Sequence, residues 1–318
     1  PLIVGVGRDE NFIASDVPAV LESTNRVIYL EDGHMARLTR ERVEVFTFEG
    51  QRVSPPVHKV AFNVEAVQKQ GYAHFMLKEI HEQPAVIEQM LKARLKGTRV
   101  VLEGLSLTQA QLESMKRIYI VACGTAYHAG LVGRYWIEAL TSIPVTVDMA
   151  SEFRYRDPIV DKNTLIIAIS QSGETADTLA AVKEAKARGA KLVSICNVVG
   201  SSLARESDGI LYTHAGPEIG VASTKAYVAQ ICMLYLLGLK LSQSFKKVSS
   251  QRRQHYIKEL KKVPDLYREI LRRKNAVHKI AKKNSHFGCF LFLGRNINFP
   301  SALEGALNLL AGRIREAG

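Results

Sequence analysis

Residues 164–195 read TLIIAISQSGETADTLAAVKEAKARGAKLVSI, and the order of residue types in this stretch decides the fold. Leu165–Ile169 is a short apolar run, as a strand buried on both faces requires. Ser170-Gln-Ser-Gly-Glu-Thr follows, too polar and too small to continue it. Thr175–Arg188 is rich in Ala, Lys and Glu, which are good helix formers, and Gly189 supplies a stop. Lys191–Ile195 is a second apolar run. Strand, turn, helix and strand in this order make a crossover unit, whose two strands pair in parallel.

The same texture repeats on both sides. Ile118–Ala122 and Pro144–Val147 read as strands joined by a helix over Ala126–Leu140. Gly209–Tyr212 reads as a short fifth strand, and Ser223–Leu241 as a long helix. The fold class expected is therefore α/β, a parallel sheet between two helical layers. Gly288-Cys-Phe-Leu-Phe-Leu-Gly294 reads as the opening strand of a second such unit. Residues 1–50 differ. Leu2–Val6 is a short apolar run, Arg26–Leu30 and Met35–Leu38 read as strands around a turn at Asp32-Gly33, and Val43–Phe48 alternates. So few strands do not easily make an independent core, so the stretch is expected to be the end of a domain that begins upstream. Residues 51–75, with Ser54-Pro55-Pro56, read as a connection. Phe75–Lys96 is helical, with a break and restart expected at Pro84.

Bulk composition narrows the function classes. The 318 residues are 47% hydrophobic and 23% charged, as in ordinary globular proteins. No apolar run approaches the roughly 18 residues of a membrane helix, so no membrane role is expected. Cys123, Cys196, Cys232 and Cys289 lie far apart without CxxC spacing. That argues against zinc or a disulfide scaffold and for a reduced, cytoplasmic setting. No metal or cofactor is expected. Of the net charge of +12, eleven charges lie between Lys246 and Lys283, where fourteen Lys or Arg face only Glu259, Asp265 and Glu269. Ile257, Leu260, Val263, Leu266 or Tyr267, Ile270, Leu271, Val277 and Ile280 mark one apolar side of that block. It reads as packed helices with a solvated basic face, without a nucleic-acid motif.

In parallel sheets, ligands bind beyond the carboxyl ends of the strands. Three polar turns lie there: Cys123-Gly-Thr-Ala, Ser170-Gln-Ser-Gly-Glu-Thr and Val221-Ala-Ser-Thr-Lys. Each opens a helix, whose first amides and dipole attract an anion. The hydroxyls of Ser170, Ser172 and Thr175 can donate to a phosphate, and Gly173 permits close approach. Plain helix capping by Ser and Thr is the competing explanation for any one of these turns. Their recurrence at equivalent ends of one sheet favours a shared phosphate site. No GxGxxG and no P-loop lysine is present. Cys123 reads as a small packed thiol.

These turns, together with Glu10-Asn-Phe-Ile-Ala-Ser-Asp16, His74-Phe-Met-Leu-Lys-Glu-Ile-His-Glu-Gln-Pro84 and Ala302-Leu-Glu-Gly-Ala-Leu307, make the chain resemble the glutamine–fructose-6-phosphate aminotransferases. Members of that family pair an N-terminal class II glutaminase domain with two sugar-isomerase (SIS) domains. They move nitrogen from glutamine to fructose 6-phosphate and isomerise it to glucosamine 6-phosphate. The resemblance implies a glutaminase remnant over 1–50, linker and helices over 51–107 and a first SIS domain over 108–247. It further implies a basic helical connection over 248–284 and the start of a second SIS domain over 285–318. It places Gly124, Thr125, Ser170, Gln171, Ser172 and Thr175 at the sugar phosphate and Val221 and Ser223 along the sugar. Glutamine would be handled by a glutaminase domain, and the full-length protein would be a homodimer. After Leu307 the family continues with a lysine and then a glutamate base, where this chain has Asn308 and Ala311. The departure suggests an incomplete or frame-shifted product with a sugar-phosphate half-site and no full catalytic centre. Glu304 is the one candidate left for proton transfer. Two other readings are a non-enzymatic SIS-domain regulator that binds sugar phosphates, and a stand-alone SIS isomerase, which leaves ENFIASD unexplained.

Overall fold

The computed structural model describes residues 2–15, 17–21, 23–60, 68–245 and 247–316. Asp16 of the ENFIASD stretch, Lys246 at the head of the basic block and residues 61–67 of the expected connection lie outside them. The chain divides into two compact units, residues 1–75 with 216–219, and residues 76–215 with 220–318.

The first unit is antiparallel. β1 (Leu2–Val6), β2 (Asn11–Ala14), β3 (Arg26–Leu30), β4 (His34–Leu38), β5 (Val43–Thr47), β6 (Arg52–Val53) and β7 (His58–Lys59) form two sheets, ordered β2-β1-β3-β7 and β4-β5-β6. The strands expected on either side of Asp32-Gly33 are present, yet they do not pair with each other: β3 pairs β1 and β4 pairs β5. Ile3, Val17, Val20, Leu21 and Val27 form a small core, with Ile219 packed against it. Within the expected connection, β6 and β7 flank Pro55 and Pro56 and add to the two sheets.

In the second unit, α1 (Phe75–Arg94) leads through a small ribbon, β8 (Leu95–Lys96) with β9 (Arg99–Val100), and α2 (Gln109–Ser114) into the main sheet. There β10 (Arg117–Ala122), α3 (Gly124–Thr141), β11 (Val145–Met149), α4 (Ala150–Tyr155), β12 (Thr164–Ser170), α5 (Ala176–Ala187), β13 (Lys191–Cys196), α6 (Ser202–Glu206), β14 (Gly209–Tyr212) and α7 (Lys225–Ser244) follow. The five strands are all parallel, in the order β11-β10-β12-β13-β14. Alternation along the strands makes the layers. Ile118, Ile120 and Ala122 of β10, with Leu165, Ile167 and Ile169 of β12, face one core with α1, α3 and α7. Tyr119, Val121, Ile166 and Ala168 face the other with α4, α5 and α6. Both faces are buried, so Ile118–Ala122 of β10 and Leu165–Ile169 of β12 are apolar at successive positions.

Three expectations need correction. α1 runs unbroken through Pro84. A proline there removes one helical hydrogen bond and costs about 3 kcal/mol, but Val86, Ile87, Met90 and Leu91 bury the following turns in the larger core. The basic block forms α8 (Ser250–Leu260), α9 (Val263–Arg272) and α10 (Lys274–Asn284), and its apolar side is only half covered. Ile257 and Leu260 are buried, whereas Leu266, Ile270, Val277 and Ile280 are exposed. Residues 288–294 do not form a strand. A strand needs a neighbour for its amides and carbonyls, and no strand of the described residues follows this segment. It leads instead into α11 (Asn298–Glu316).

Candidate functional site

The sheet places the three polar turns by its connectivity. From β10 the chain crosses through α3 to β11 on one side, and from β12 it crosses through α5 to β13 on the other. Neighbouring strands whose connections leave in opposite directions open a crevice at their carboxyl ends. Val121 lies opposite Ala168 in the parallel register, so the turn at Cys123–Thr125 is beside the turn at Ser170–Thr175. The third turn joins them through helix packing. Gly133 of α3 meets Leu234 of α7, Trp136 contacts Tyr235 edge-on at 4.8 Å, and Gly238 packs on Ile137 and Leu140. The paired numbers rise together, so α3 and α7 run parallel and their N-termini share one end.

The middle turn is built from its own hydroxyls. Ser170 Oγ and Thr175 Oγ1 are 3.0 Å apart, the Gly173 amide donates to Ser170 Oγ at 3.0 Å, and the Glu174 amide donates to Ser172 Oγ at 3.1 Å. Gly173 has φ +68°, a left-handed conformation that favours glycine. The turn is stitched to its neighbour, since Glu174 accepts from the Ser202 amide at 2.8 Å and Gly173 O from the Leu203 amide at 2.9 Å. Glu174 thus fills the N-terminus of α6. Gln171 is fixed by its carbonyl, which accepts from the Asn197 amide at 3.0 Å.

Capping does not explain these turns. Thr108 caps α2 and Ser249 caps α8 through their side chains. The N-cap residues of α3, α5 and α7, which are Cys123, Thr175 and Thr224, make no such bond. Gly124, with φ +54°, has open space where a side chain would stand. Val221 is 68% exposed, unusual for a valine beside a core helix, and Ser223 is half-buried.

The structure adds a cluster around Glu304 that sequence reasoning did not assemble. Glu304 on α11 is buried. Its carboxylate accepts from Thr125 Oγ1 at 2.9 Å and from Asn308 Nδ2 at 2.7 Å, and lies 2.7 Å from His128 Nδ1. Thr125 and His128 are three residues apart on α3, hence on one face; that spacing was a signal available in the sequence, but nothing local names Glu304 as the partner. Burial pushes the hydroxyl of Tyr227 on α7 up to about 12. The Thr125 hydroxyl is thus committed to Glu304 and leaves its backbone amide at the start of α3. Cys123 is half-buried, and burial pushes the thiol of Cys196, at the end of β13, up to about 12, far from a thiolate nucleophile. Among the described residues, no group of three His, Cys, Asp or Glu side chains could hold a metal ion, and no helix is long and apolar enough to cross a membrane.

Known proteins share this framework. A family model for the SIS domain matches residues 111–240. The glutamine–fructose-6-phosphate aminotransferase of Caldanaerobacter subterraneus subsp. tengcongensis is 49% identical over 310 residues, 97% of this chain and 51% of the relative. A Thermus thermophilus enzyme of the same name is 47% identical over the same shares. This chain thus spans about half the length of the curated relatives it matches. The solved C-terminal domain of the glucosamine-fructose-6-phosphate aminotransferase from Francisella tularensis is 41% identical, with a TM-score of 0.72 over 76% of this chain and 67% of that one. With that degree of likeness in sequence and in fold, the chain belongs to the glutamine–fructose-6-phosphate aminotransferase family.

Proposed function

We propose that this chain is the sugar-phosphate-binding part of an enzyme that transfers the amide nitrogen of glutamine to fructose 6-phosphate and isomerises it to glucosamine 6-phosphate. The observation that supports it is the set of three helix N-termini, α3, α5 and α7, at one end of one sheet without capping by their N-cap side chains. Such ends attract a phosphate. In this reading Ser170, Gln171, Ser172 and Thr175 hold the phosphate, with the amides of Gly124 and Thr125. The Ser170–Thr175 hydroxyl pair shares one proton between them and has the other to donate. Val221 and Ser223 line the sugar, which explains why a valine stands exposed. Glu304 orders Thr125 and His128.

Isomerisation needs a base that takes a proton from carbon. Asn308 and Ala311 stand where the family places a lysine and a glutamate, and neither can accept that proton. Asn308 instead donates to Glu304. This chain is therefore a binding half-site, and glutamine handling, homodimer formation and a cytoplasmic setting are properties of the intact enzyme in this reading.

Calorimetric titration with fructose 6-phosphate and glucosamine 6-phosphate tests the site. Saturable binding is expected, and Ser172→Ala with Thr175→Ala should weaken it about 10-fold or more, the size of lost hydrogen bonds to a charged group. No heat at millimolar ligand in folded protein, or affinity indifferent to both substitutions, refutes the reading.

A further inference from the structure

Helix α1 carries a charge cluster whose position the site does not explain. Lys78, Glu79 and Lys225 are all buried, which charged side chains accept only with partners. Glu82 supplies two of them, since its carboxylate lies 2.7 Å from Lys225 Nζ and 3.1 Å from Lys78 Nζ. Glu79 reaches a backbone group, and the Gly220 amide donates to its two oxygens at 3.1 and 3.2 Å. These contacts join residues 141 and 143 positions apart in the chain.

Lys225 is the first residue of α7. A cation there opposes the helix dipole, and burial compounds the penalty. Glu82 offsets both. At the other end of the same short loop, a Cβ on Gly220 would stand 2.5 Å from Glu79 Oε2 and 3.3 Å from Met76 Cα. The backbone is pulled against α1 so closely that a side chain at 220 would displace the Glu79 carboxylate. Both ends of the segment 220–225 are thus fastened to one helix by carboxylates. Val221, Ala222, Ser223 and Thr224 form the span between the fasteners.

We infer that Glu79 and Glu82 are positioning residues, which hold residues 221–223 of that span at the height where they meet the sugar rather than the phosphate. This rests on the site proposed above, in which the phosphate is gripped at 170–175 and the sugar at 221–223. It assigns a task to two acidic residues that touch no part of that site.

The test separates sugar from phosphate. The full chain and its Glu79→Ala, Glu79→Gln and Gly220→Ala variants are titrated calorimetrically with glucosamine 6-phosphate and with inorganic phosphate. Glu79→Ala and Gly220→Ala should weaken glucosamine 6-phosphate about 10-fold and leave inorganic phosphate within about 2-fold of the parent. Glu79→Gln, which still accepts from the Gly220 amide, should regain most of the sugar affinity. Equal loss of both ligands in Glu79→Ala and Gly220→Ala means a general structural role and overturns the inference, as does unchanged sugar affinity. A parent chain that binds neither ligand overturns the proposed site and this inference with it. If Glu79→Ala fails to fold, the Glu79→Gln and Gly220→Ala pair decides between the same outcomes.

Discussion

Replacing Gly173 by alanine tests the turn at the centre of the site with one methyl group. Two penalties follow from the structure. Gly173 has φ +68°, and a side chain in the left-handed region costs about 1–2 kcal/mol. A Cβ there would also overlap Ser201 Oγ and lie 2.6 Å from Ser201 Cβ. Ser201 is fully buried as the N-cap of α6, so it has little room to retreat, and overpacking of this kind costs about 1–3 kcal/mol. The sum is about 2–5 kcal/mol against a typical domain stability of about 5–15 kcal/mol. The variant should fold, with a lower urea midpoint. The two terms can be separated, because Ser201→Gly removes both atoms the methyl would strike. In the double variant the overlap disappears and about 1–3 kcal/mol should return relative to the sum of the single changes. Urea denaturation of the four proteins measures this coupling. A loss below about 0.5 kcal/mol in Gly173→Ala, or strict additivity in the double variant, would refute the reasoning.

Burial, and then the charge of Arg94, hold His214 below the usual histidine range. The unfolded chain then takes up the proton first, so this group's stability is full above about pH 6.5 and is lost as pH falls toward the folded value. His214→Gln should flatten the stability profile between about pH 7 and 5, and identical slopes in both proteins would count against it. Glu304→Ala leaves Thr125, His128 and Asn308 without their shared partner; unfolding free energy should drop by at least about 2 kcal/mol, with amides of α11 exchanging faster. Leu291 and Leu293 are 83% and 90% exposed, so Leu291→Ser with Leu293→Ser should leave thermal stability unchanged within about 1 °C and reduce self-association in sedimentation.

Local chemistry was enough for much of the second unit. Apolar runs such as Leu165–Ile169, broken by Ser170-Gln-Ser-Gly, announce strands and turns because burial and turn preference act over a few neighbouring residues. The same logic failed at 288–294, an apolar run without a strand to pair it, and at Pro84, where packing of the following turns outweighs a local break. It also missed that β3 and β4 part company across Asp32-Gly33, since pairing partners are chosen by whole sheets.

The sequence alone marked the α/β class, the three polar turns and the family. It could not order the strands as β11-β10-β12-β13-β14, and only that order puts Thr125 beside Ser170. Nor could it pair Glu304 with His128, or turn the KEIHE segment of α1 from a family marker into a brace for Gly220 and Lys225. Contacts across more than a hundred residues are set by which faces bury together, and that choice belongs to the folded chain as a whole.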